Sequence, residues 1–452
     1  MSRKSNVAII GAGLAGCEAA WQLASRNILV TLFEMRPKLT TPAHQTGNLA
    51  ELVCSNSFKS VDTSNAHGLL KAEMECANSL IIESAKNNSV PAGSALAVDR
   101  ALFSAEIKYK LSALESCEVI LREITDINVL LKDYSYVIVA AGPLMSDALS
   151  ESLKLLLDDE ELYFYDAIAP VVYADSIDMD IAFKASRYDK GKADYINCPM
   201  NREQYEELVN NLVSAKKVPF KDFEQAKHFE GCLPVEVLAK RGIDALAFGA
   251  MKPVGLNNPK TGEQHHAVLQ LRQENQDASL YNLVGCQTRM TWPEQKRVFR
   301  MIPGLENCEF ARLGSMHRNT YVNAPNQLNT NLSLKVNNKV FLAGQITGVE
   351  GYTESSSMGL WAALNVYQAL QGNQYLEVNP ETMIGGLVNY LQTASPKRFQ
   401  PMNANFGLLQ ALPGKKIKNK KEKRKLQAEL ALSTWKSQLR QLGIPLPEIV
   451  FG

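Results

Sequence analysis

The chain has 452 residues and a formal net charge of +1, from 48 lysines and arginines against 47 aspartates and glutamates. This length is enough for two or three domains with separate cores, and the balanced charge excludes a polycation that binds nucleic acid over its whole surface. No apolar run is long enough to span a membrane, the first predicted strand leaves no room for a signal peptide, and the cysteines show no Cys-x-x-Cys spacing. We therefore expect a cytoplasmic protein with reduced thiols, no membrane segment and no metal site.

A glycine-rich motif follows the first apolar segment, residues 7–10, and leads into a predicted helix. In such motifs the first glycine makes a tight turn, the second lets the backbone approach a pyrophosphate, and the third lets the helix pack on the strand. A second predicted strand, residues 29–33, ends at an acid that can accept hydrogen bonds from a ribose hydroxyl. Together these features predict a dinucleotide site formed by Gly11, Ala12, Gly13, Leu14, Ala15, Gly16 and Glu34.

The next segments continue a strand and helix pattern. Residues 66–88 carry apolar side chains at helical spacing and predict one helix. Asp99 is placed to cap a further helix. Residues 136–143 predict a buried strand that ends in small residues, which is typical of the close of the first half of a nucleotide-binding fold.

The pattern changes between residues 160 and 330, where aromatic and turn residues are dense. We expect an inserted domain there with a mixed or mainly antiparallel sheet. It has a predicted helix at 203–215 and predicted strands at 251–255, 267–272 and 281–285.

A second strand, glycine loop and helix follow at residues 340–370. Two such units far apart are typical of a flavin-binding domain that is split by an insertion. The sequence therefore predicts an α/β protein with an FAD-binding Rossmann-like domain, residues 1–160 and 331–452, and an inserted mixed α+β domain, residues 161–330.

Two cysteines, one histidine and one basic segment are candidates for chemistry. Cys54 lies among small polar residues near His44 and Lys59, surroundings that can lower a thiol pKa, and Cys232 lies in a turn-prone segment. Each thiol could also be an inert packed residue, which is the commoner case for a single cysteine such as Cys54, and His317 could be structural or bind a ligand. Eight of the eleven residues from 415 to 425 are basic, which fits either a solvated face or a surface that contacts RNA phosphates.

Ten short strings, spread in order over almost the whole chain, resemble the folate- and FAD-dependent tRNA (uracil-5-)-methyltransferases. This family includes a paralogous branch that methylates a uridine of 23S ribosomal RNA. The strings are GAGLAG (11–16), ELVCSNS (51–57), ALAVDR (95–100), RYDKG (187–191), NCPM (197–200), FEGC (229–232), KPVG (252–255), HRNT (317–320), AGQITGVEGY (343–352) and QPMNANFGLL (400–409).

The resemblance implies an enzyme that forms 5-methyluridine in the T-loop of tRNA, with the same reaction on ribosomal RNA as the alternative. Methylenetetrahydrofolate would supply the carbon, FAD would carry the electrons, and NADH or NADPH would reduce the flavin. The expected partners are RNA and folate.

The resemblance also implies residue roles. Cys232 would add to C6 of uracil, and Cys54 would act beside the flavin as proton acceptor or hold the flavin-bound methylene in the resting enzyme. The second glycine loop, with Gly344, Gln345 and Gly351, would contact the flavin side of FAD, and Tyr352 would lie over the flavin. The remaining candidates are His317 and Arg318 for the folate or uracil pocket, and Lys420 and Lys421 for the RNA backbone.

Three other functions fit part of the pattern. A related flavoprotein that builds carboxymethylaminomethyl groups at the tRNA wobble uridine shares folate, FAD and the opening motif, but it is much longer. A small-molecule flavin oxidoreductase would not need two isolated catalytic cysteines or a basic segment. A non-catalytic flavin-bearing protein would bind RNA and form no 5-methyluridine.

Overall fold

The computed structural model describes residues 6–157, 162–189, 192–219, 233–412 and 417–444, with the backbone alone at 162–166, 189, 317 and 318. The strands of the described residues are β1 (Asn6–Ile10), β2 (Leu29–Glu34), β3 (Ser57–Ser60), β4 (Ser89–Val90), β5 (Ala95–Val98), β6 (Cys117–Leu121), β7 (Tyr136–Val139), β8 (Leu162–Ala167), β9 (Val171–Tyr173), β10 (Phe183–Ala185), β11 (Tyr195–Met200), β12 (Ala267–Gln273), β13 (Leu280–Leu283), β14 (Phe310–Arg312), β15 (Met316–Tyr321) and β16 (Val340–Leu342).

The α-helices of the same residues are α1 (Leu14–Ala24), α2 (Ala66–Cys76), α3 (Leu80–Asn87), α4 (Arg100–Ser112), α5 (Ile127–Asp133), α6 (Asp147–Leu157), α7 (Arg202–Ser214), α8 (Val235–Ala239), α9 (Ala245–Phe248), α10 (Trp292–Phe299), α11 (Ala324–Gln327), α12 (Tyr352–Leu370), α13 (Met383–Thr393) and α14 (Lys420–Gln441). Among the described helices, none is both long and apolar enough to cross a bilayer.

A parallel sheet forms the first layer, with the strand order β16-β7-β1-β2-β6. Its central strand, β1, is apolar and almost fully buried, as expected for a parallel strand that is covered on both faces. Strand β16 joins this sheet after the chain has formed a second sheet elsewhere. Helices α1 and α12 pack so closely that a Cβ at Gly359 would overlap the carbonyl oxygen of Ala15. The predicted Rossmann-like α/β fold is confirmed.

The second sheet is antiparallel, with the strand order β10-β11-β12-β13-β9-β14. Strand β12 is buried at every position. Leu269 and Leu271 pack in the core that α7 covers, whereas Arg272 donates from Nε to Oδ1 of Asn56 at 2.9 Å. The end of β12, at Arg272 and Gln273, therefore meets the segment that carries Cys54. The mainly antiparallel sheet agrees with the expected insertion, and the domain boundaries at 160/161 and 330/331 stay a prediction.

Two local predictions are wrong. Residues 66–88 form two helices, because Asn78 adopts φ +57° and the Ser79 hydroxyl accepts from the N–H of Ile82 to cap α3. Ser79 also donates to buried Glu18 at 2.7 Å, and this contact fixes the break. Residues 251–255 form turns instead of a strand, and Gly255 has φ +80° against the ring of Tyr188.

The predicted cap of α4 is confirmed. Asp99 precedes the helix in extended conformation, and its Oδ1 accepts from the N–H groups of Ala101 and Leu102 at 3.0 and 3.1 Å. These bonds satisfy two of the N–H groups that a helix start leaves without an intrahelical partner. The cap fixes the start of the helix, where Arg100 faces the Cys54 segment.

Candidate active site

A cleft of about 1790 Å³, counting the part open to solvent, lies at the carboxyl end of the parallel strands. Its wall includes Gly11 after β1, Glu34 at the end of β2, Ala140 after β7 and Gly344 after β16. Ligands of open α/β sheets bind at this edge, where consecutive strands lead their loops outward.

The first glycine turn has the shape that a pyrophosphate site needs. Gly11 has φ +98°, and a Cβ there would lie 2.6 Å from Cα of Ala141, while a Cβ at Gly16 would overlap the carbonyl oxygen of Gly11. A Cβ at Gly13 would meet no protein atom within 4 Å, so the backbone there is open toward the cleft. Gly13 also precedes α1, whose start no side chain caps. The turn therefore offers helix N–H groups to an anion.

The second glycine loop faces the same cleft. Gly344 has φ +84° and Gly351 has φ +116°, and α12 starts directly after Gly351 without a side-chain cap. The Gln345 side chain donates to Oε2 of Glu350, and Asn403 donates to the carbonyl oxygen of Glu350 at 2.6 Å. The N-termini of two helices thus point at one cleft. This arrangement fits a ligand whose phosphates lie in the middle of the molecule.

Glu34 is buried, and each of its carboxylate oxygens accepts two hydrogen bonds. Oε1 accepts from the N–H and Nε of Arg36 at 3.0 and 2.9 Å, and Oε2 accepts from the N–H of Ala12 and from Nη2 of Arg36 at 2.8 and 3.3 Å. Burial would raise the pKa of Glu34, but the bonds from Arg36 and Ala12 outweigh it, and the pKa lies below its ordinary value. A ribose hydroxyl would have to share or replace one of these donors.

Cys54 lies on the cleft wall and is half-buried. Its N–H and that of Ser55 donate to the Tyr352 hydroxyl at 2.8 and 3.1 Å, and its Sγ lies 3.8 Å from the carbonyl oxygen of Ala167. Burial raises the pKa of the Tyr352 hydroxyl, which is therefore neutral, and its ring packs against Phe58 at 5.7 Å between centroids. The tyrosine connects the second glycine loop to the thiol-bearing segment.

The other described cysteines are poorly suited to thiolate chemistry. Burial raises the pKa of each of these thiols, to about 11 for Cys117 and Cys308, and a thiol that stays protonated is a weak nucleophile. The same cause acts on Cys17, Cys76, Cys198 and Cys286. Among the described residues, Cys54 is the cysteine that lines the cleft.

Comparisons with known proteins give the family. A family model described as glucose inhibited division protein A, GIDA, matches residues 6–374. A curated protein of Syntrophus aciditrophicus (strain SB), named methylenetetrahydrofolate–tRNA-(uracil-5-)-methyltransferase TrmFO, is 52% identical over 440 residues, which is 97% of this chain and 99% of that protein. The chain belongs to this methyltransferase family. A TrmFO of Heliobacterium modesticaldum (strain ATCC 51547 / Ice1) is 53% identical over 431 residues, which is 95% of this chain and 96% of that protein.

A solved structure shows that the fold extends beyond close relatives. Aquifex aeolicus GidA, in its form II crystal, has a TM-score of 0.66 with 17% identity, over 98% of this chain and 76% of that one. Identity this low supports the fold alone. The resemblance found in the ten strings is confirmed as membership of the methyltransferase family.

The predicted site residues whose side chains are described fall into three groups. Most of them line the cleft: Gly11, Gly13, Leu14, Ala15, Glu34, Gly344, Gln345, Gly351, Tyr352 and Cys54. Ala12 and Gly16 support the first turn from within, since Ala12 donates its N–H to Glu34 and Gly16 packs on Gly11. Lys420 and Lys421 lie outside the cleft, exposed at the start of α14.

Three predicted residues have no described side chain. Cys232 lies outside the described residues. The backbone of His317 and Arg318 lies in β15, opposite Asp166 and Tyr165 of β8. The roles predicted for these residues stay predictions.

The cleft wall also contains residues to which the sequence assigned no role, such as Arg36, Arg122, Asn319 and Asn403. Asn319 and Asn403 lie within the strings HRNT and QPMNANFGLL, so the resemblance itself could have pointed to them. Arg36 follows Glu34 by two residues, and a basic residue so close to a buried acid was a usable signal. Arg122 carried no such signal.

Proposed function

We propose that this chain is a folate- and FAD-dependent RNA methyltransferase that forms 5-methyluridine in the T-loop of tRNA. The observation that carries the proposal is the position of Cys54, on the wall of the cleft that begins at the open glycine turn. The names of the relatives, which are 52% and 53% identical, give the reaction class. The alternative substrate is a uridine of 23S ribosomal RNA, with the same chemistry.

The residues present fit FAD. The turn at Gly11 and Gly13 and the start of α1 would hold the pyrophosphate, and Glu34 would bind the ribose after rearrangement of Arg36. The loop from Gly344 to Gly351 and the start of α12 would face the flavin side. Bound FAD, once reduced by NADH or NADPH, would supply the hydride that the reaction requires.

A cysteine nucleophile is needed because C5 of uracil is too weak a nucleophile to attack a methylene donor. Addition of the Cys232 thiolate to C6 makes C5 an enolate carbon, which attacks the methylene carbon as the first of its two bonds to folate nitrogens breaks. Val235, three residues after Cys232, donates to the carbonyl oxygen of Gln287, and Gln287 lines the cleft. Val235 is thereby joined to a residue of the cleft wall.

Cys54 is the proposed proton acceptor. After the carbon–carbon bond forms, its thiolate takes the proton from C5, and the C5 electron pair breaks the remaining bond between the methylene carbon and the folate nitrogen. This releases tetrahydrofolate and leaves an exocyclic methylene. A hydride then reduces this methylene to the methyl group as the Cys232 thiolate leaves C6. The products are 5-methyluridine, tetrahydrofolate and oxidised nicotinamide.

The RNA has to present its uracil outside the base stack, so base extrusion is part of the proposal. Lys420 and Lys421 are exposed at the start of α14, and Arg424 of the same helix lies over the ring of Phe406 at 5.3 Å from its centroid. Phe406 belongs to the string that contains Asn403 of the cleft wall. This connection supports a phosphate-binding role for the start of α14. We assign His317 and Arg318 to the folate or uracil pocket.

One assay with two RNAs tests the proposal. The full chain is incubated with FAD, NADH or NADPH and methylene-labelled methylenetetrahydrofolate, with either an unmodified tRNA transcript or a 23S ribosomal RNA fragment. Label in the tRNA T-loop is the expected result, and label only in the ribosomal fragment would move the chain to the alternative substrate. Omission of the nicotinamide is the control. No label in either RNA, with FAD bound and reducible, would overturn the proposal.

A further inference from the structure

Two arginines contact the backbone of Cys54, and a glutamate pairs with one of them. Arg312 of β14 donates from Nη1 to the carbonyl oxygen of Val53 and from Nη2 to that of Cys54, both at 3.2 Å. Arg100, at the start of α4, donates from Nη2 to the same Cys54 oxygen at 3.4 Å. Its Nε lies 3.0 Å from Oε2 of buried Glu274. Two guanidinium groups therefore bind one peptide oxygen, and one carboxylate pairs with one of these guanidinium groups.

The same segment is also fixed from its other sides. The Tyr352 hydroxyl accepts from the N–H groups of Cys54 and Ser55. The Asn56 side chain donates to the carbonyl oxygens of Val98 and Gln273 at 3.0 and 2.9 Å. Because both backbone polar groups of Cys54 are held by side chains of distant elements, the thiol has a defined position on the cleft wall.

The charges nearest to this segment are net positive. Burial and the charge of Arg100 lower the pKa of Arg312 to about 10, so Arg312 stays protonated at neutral pH. A nearby positive charge favours a thiolate over a thiol. The charged and titratable side chains that face the segment or line the same cleft are Arg100, Arg312, Glu274, Arg272, Tyr352, Lys59, His44, Glu51, Glu350, Glu34, Arg36, Arg122 and Glu123.

We propose that Arg312, together with Arg100, is a positioning residue for Cys54. The two arginines fix its peptide group, and their positive charges favour its thiolate, whereas the negative charge of Glu274 opposes this effect. The inference rests on the proposed role of Cys54 as a base, since a base must be deprotonated to take the proton from C5. Its test measures the thiol directly and needs no RNA, folate or methylation.

The experiment follows alkylation of Cys54 by iodoacetamide as a function of pH in the full chain. Trypsin releases this thiol in a peptide, residues 39–59, that contains no other cysteine, so mass spectrometry reads Cys54 alone. Loss of one positive charge next to a thiol shifts its apparent pKa upward by about one unit. Arg312→Gln should therefore raise the midpoint and slow alkylation at pH 7 about ten-fold.

Glu274→Gln is the decisive variant, because removal of a negative charge should shift the midpoint of alkylation to lower pH, opposite to the shift in Arg312→Gln. Arg312→Lys keeps the charge and should return the midpoint toward that of the wild type. The matched control is Arg300→Gln, since Arg300 donates to the carbonyl oxygen of another cysteine, Cys308, at 3.1 and 2.8 Å. This control should leave the Cys54 profile unchanged.

Opposite shifts in Arg312→Gln and Glu274→Gln support the proposal. Shifts in the same direction, or no shift, overturn it, because a purely structural role gives no dependence on the sign of the charge. If Arg312→Gln does not fold, Glu274→Gln decides alone, and a midpoint that does not fall overturns the proposal. A protein that shows the opposite shifts but methylates no RNA would refute the proposed function and leave this inference standing.

Discussion

Replacement of Gly13 by alanine separates FAD binding from folding. A Cβ at this position would meet no protein atom within 4 Å, and the backbone has φ −75°, which alanine adopts without strain. The only structural cost is that of alanine at a helix N-cap, about 0.5–1 kcal/mol. In a chain of this size, such a loss lowers the Tm by no more than about 2 °C.

The added methyl group would occupy the space through which a pyrophosphate approaches the start of α1. If it costs two hydrogen bonds from backbone N–H groups to the charged phosphates, at about 1.5 kcal/mol each, the FAD affinity falls by about 3 kcal/mol. That is a rise in Kd of about 100-fold. Titration of FAD fluorescence gives the Kd, and thermal unfolding followed by circular dichroism without FAD gives the Tm.

Gly16→Ala is the matched comparison, because its Cβ would overlap the carbonyl oxygen of Gly11. Crowding of this kind should destabilise the fold itself by about 1–3 kcal/mol and weaken FAD binding as a consequence. If Gly13→Ala binds FAD within two-fold of the wild type, the pyrophosphate does not approach this turn, and the assignment of the cleft to FAD fails.

Three further predictions concern the thiols, the basic segment and pH. Cys54→Ala and Cys232→Ala should both keep bound flavin but form no labelled 5-methyluridine, whereas Cys117→Ala should still form this product. Full activity of Cys54→Ala or Cys232→Ala would exclude that thiol from the mechanism. Burial raises the pKa of Glu18 to about 7, so the native state holds a proton that the unfolded state has lost above about 4.5. The free energy of unfolding, measured by urea titration, should therefore fall by about 3 kcal/mol more between pH 4.5 and 7 in the wild type than in Glu18→Gln. The same pH dependence in both proteins would contradict the burial argument. Substitution of Lys420 and Lys421, both exposed on α14, by glutamine should weaken the salt dependence of RNA binding. The slope of log K against log salt concentration should fall by about 0.7–0.9 for each lost phosphate contact. Glutamine at the exposed control pair, Lys108 and Lys132, should leave the slope unchanged, and the same slope in both variants would mean that the α14 lysines form only a solvated face.

The first glycine turn could be predicted from the sequence because its determinants are local. The strand, the three glycines and the helix are contiguous, and each residue type has one steric reason to be there. The break between α2 and α3 could not be predicted in this way. The apolar spacing continues across it, and the break depends on a bond from Ser79 to Glu18, 61 residues away in the chain. Hydrophobic periodicity carries no information about such a partner.

The environment of Cys54 shows the same limit at the site itself. The sequence placed this thiol among small polar residues near His44 and Lys59, which was enough to make it a candidate. The groups that hold it come from Arg100, Arg312 and Tyr352, which are 46, 258 and 298 residues away. They meet it because the starts of α4 and α12 and strand β14 of the antiparallel sheet converge on the Cys54 segment.

A thiol held in this way need not lie close in sequence to any basic residue. His44 and Lys59, the local residues that first suggested a lowered thiol pKa, line the same cleft, but the bonds to the Cys54 backbone come from distant arginines and a tyrosine. Any effect on thiolate formation should therefore follow substitutions in the antiparallel sheet more closely than substitutions in the neighbouring loop. The comparison of Arg312→Gln with Lys59→Gln in the alkylation profile measures this difference. A larger shift of the alkylation midpoint in Lys59→Gln would mean that residues close in sequence determine thiolate formation at Cys54.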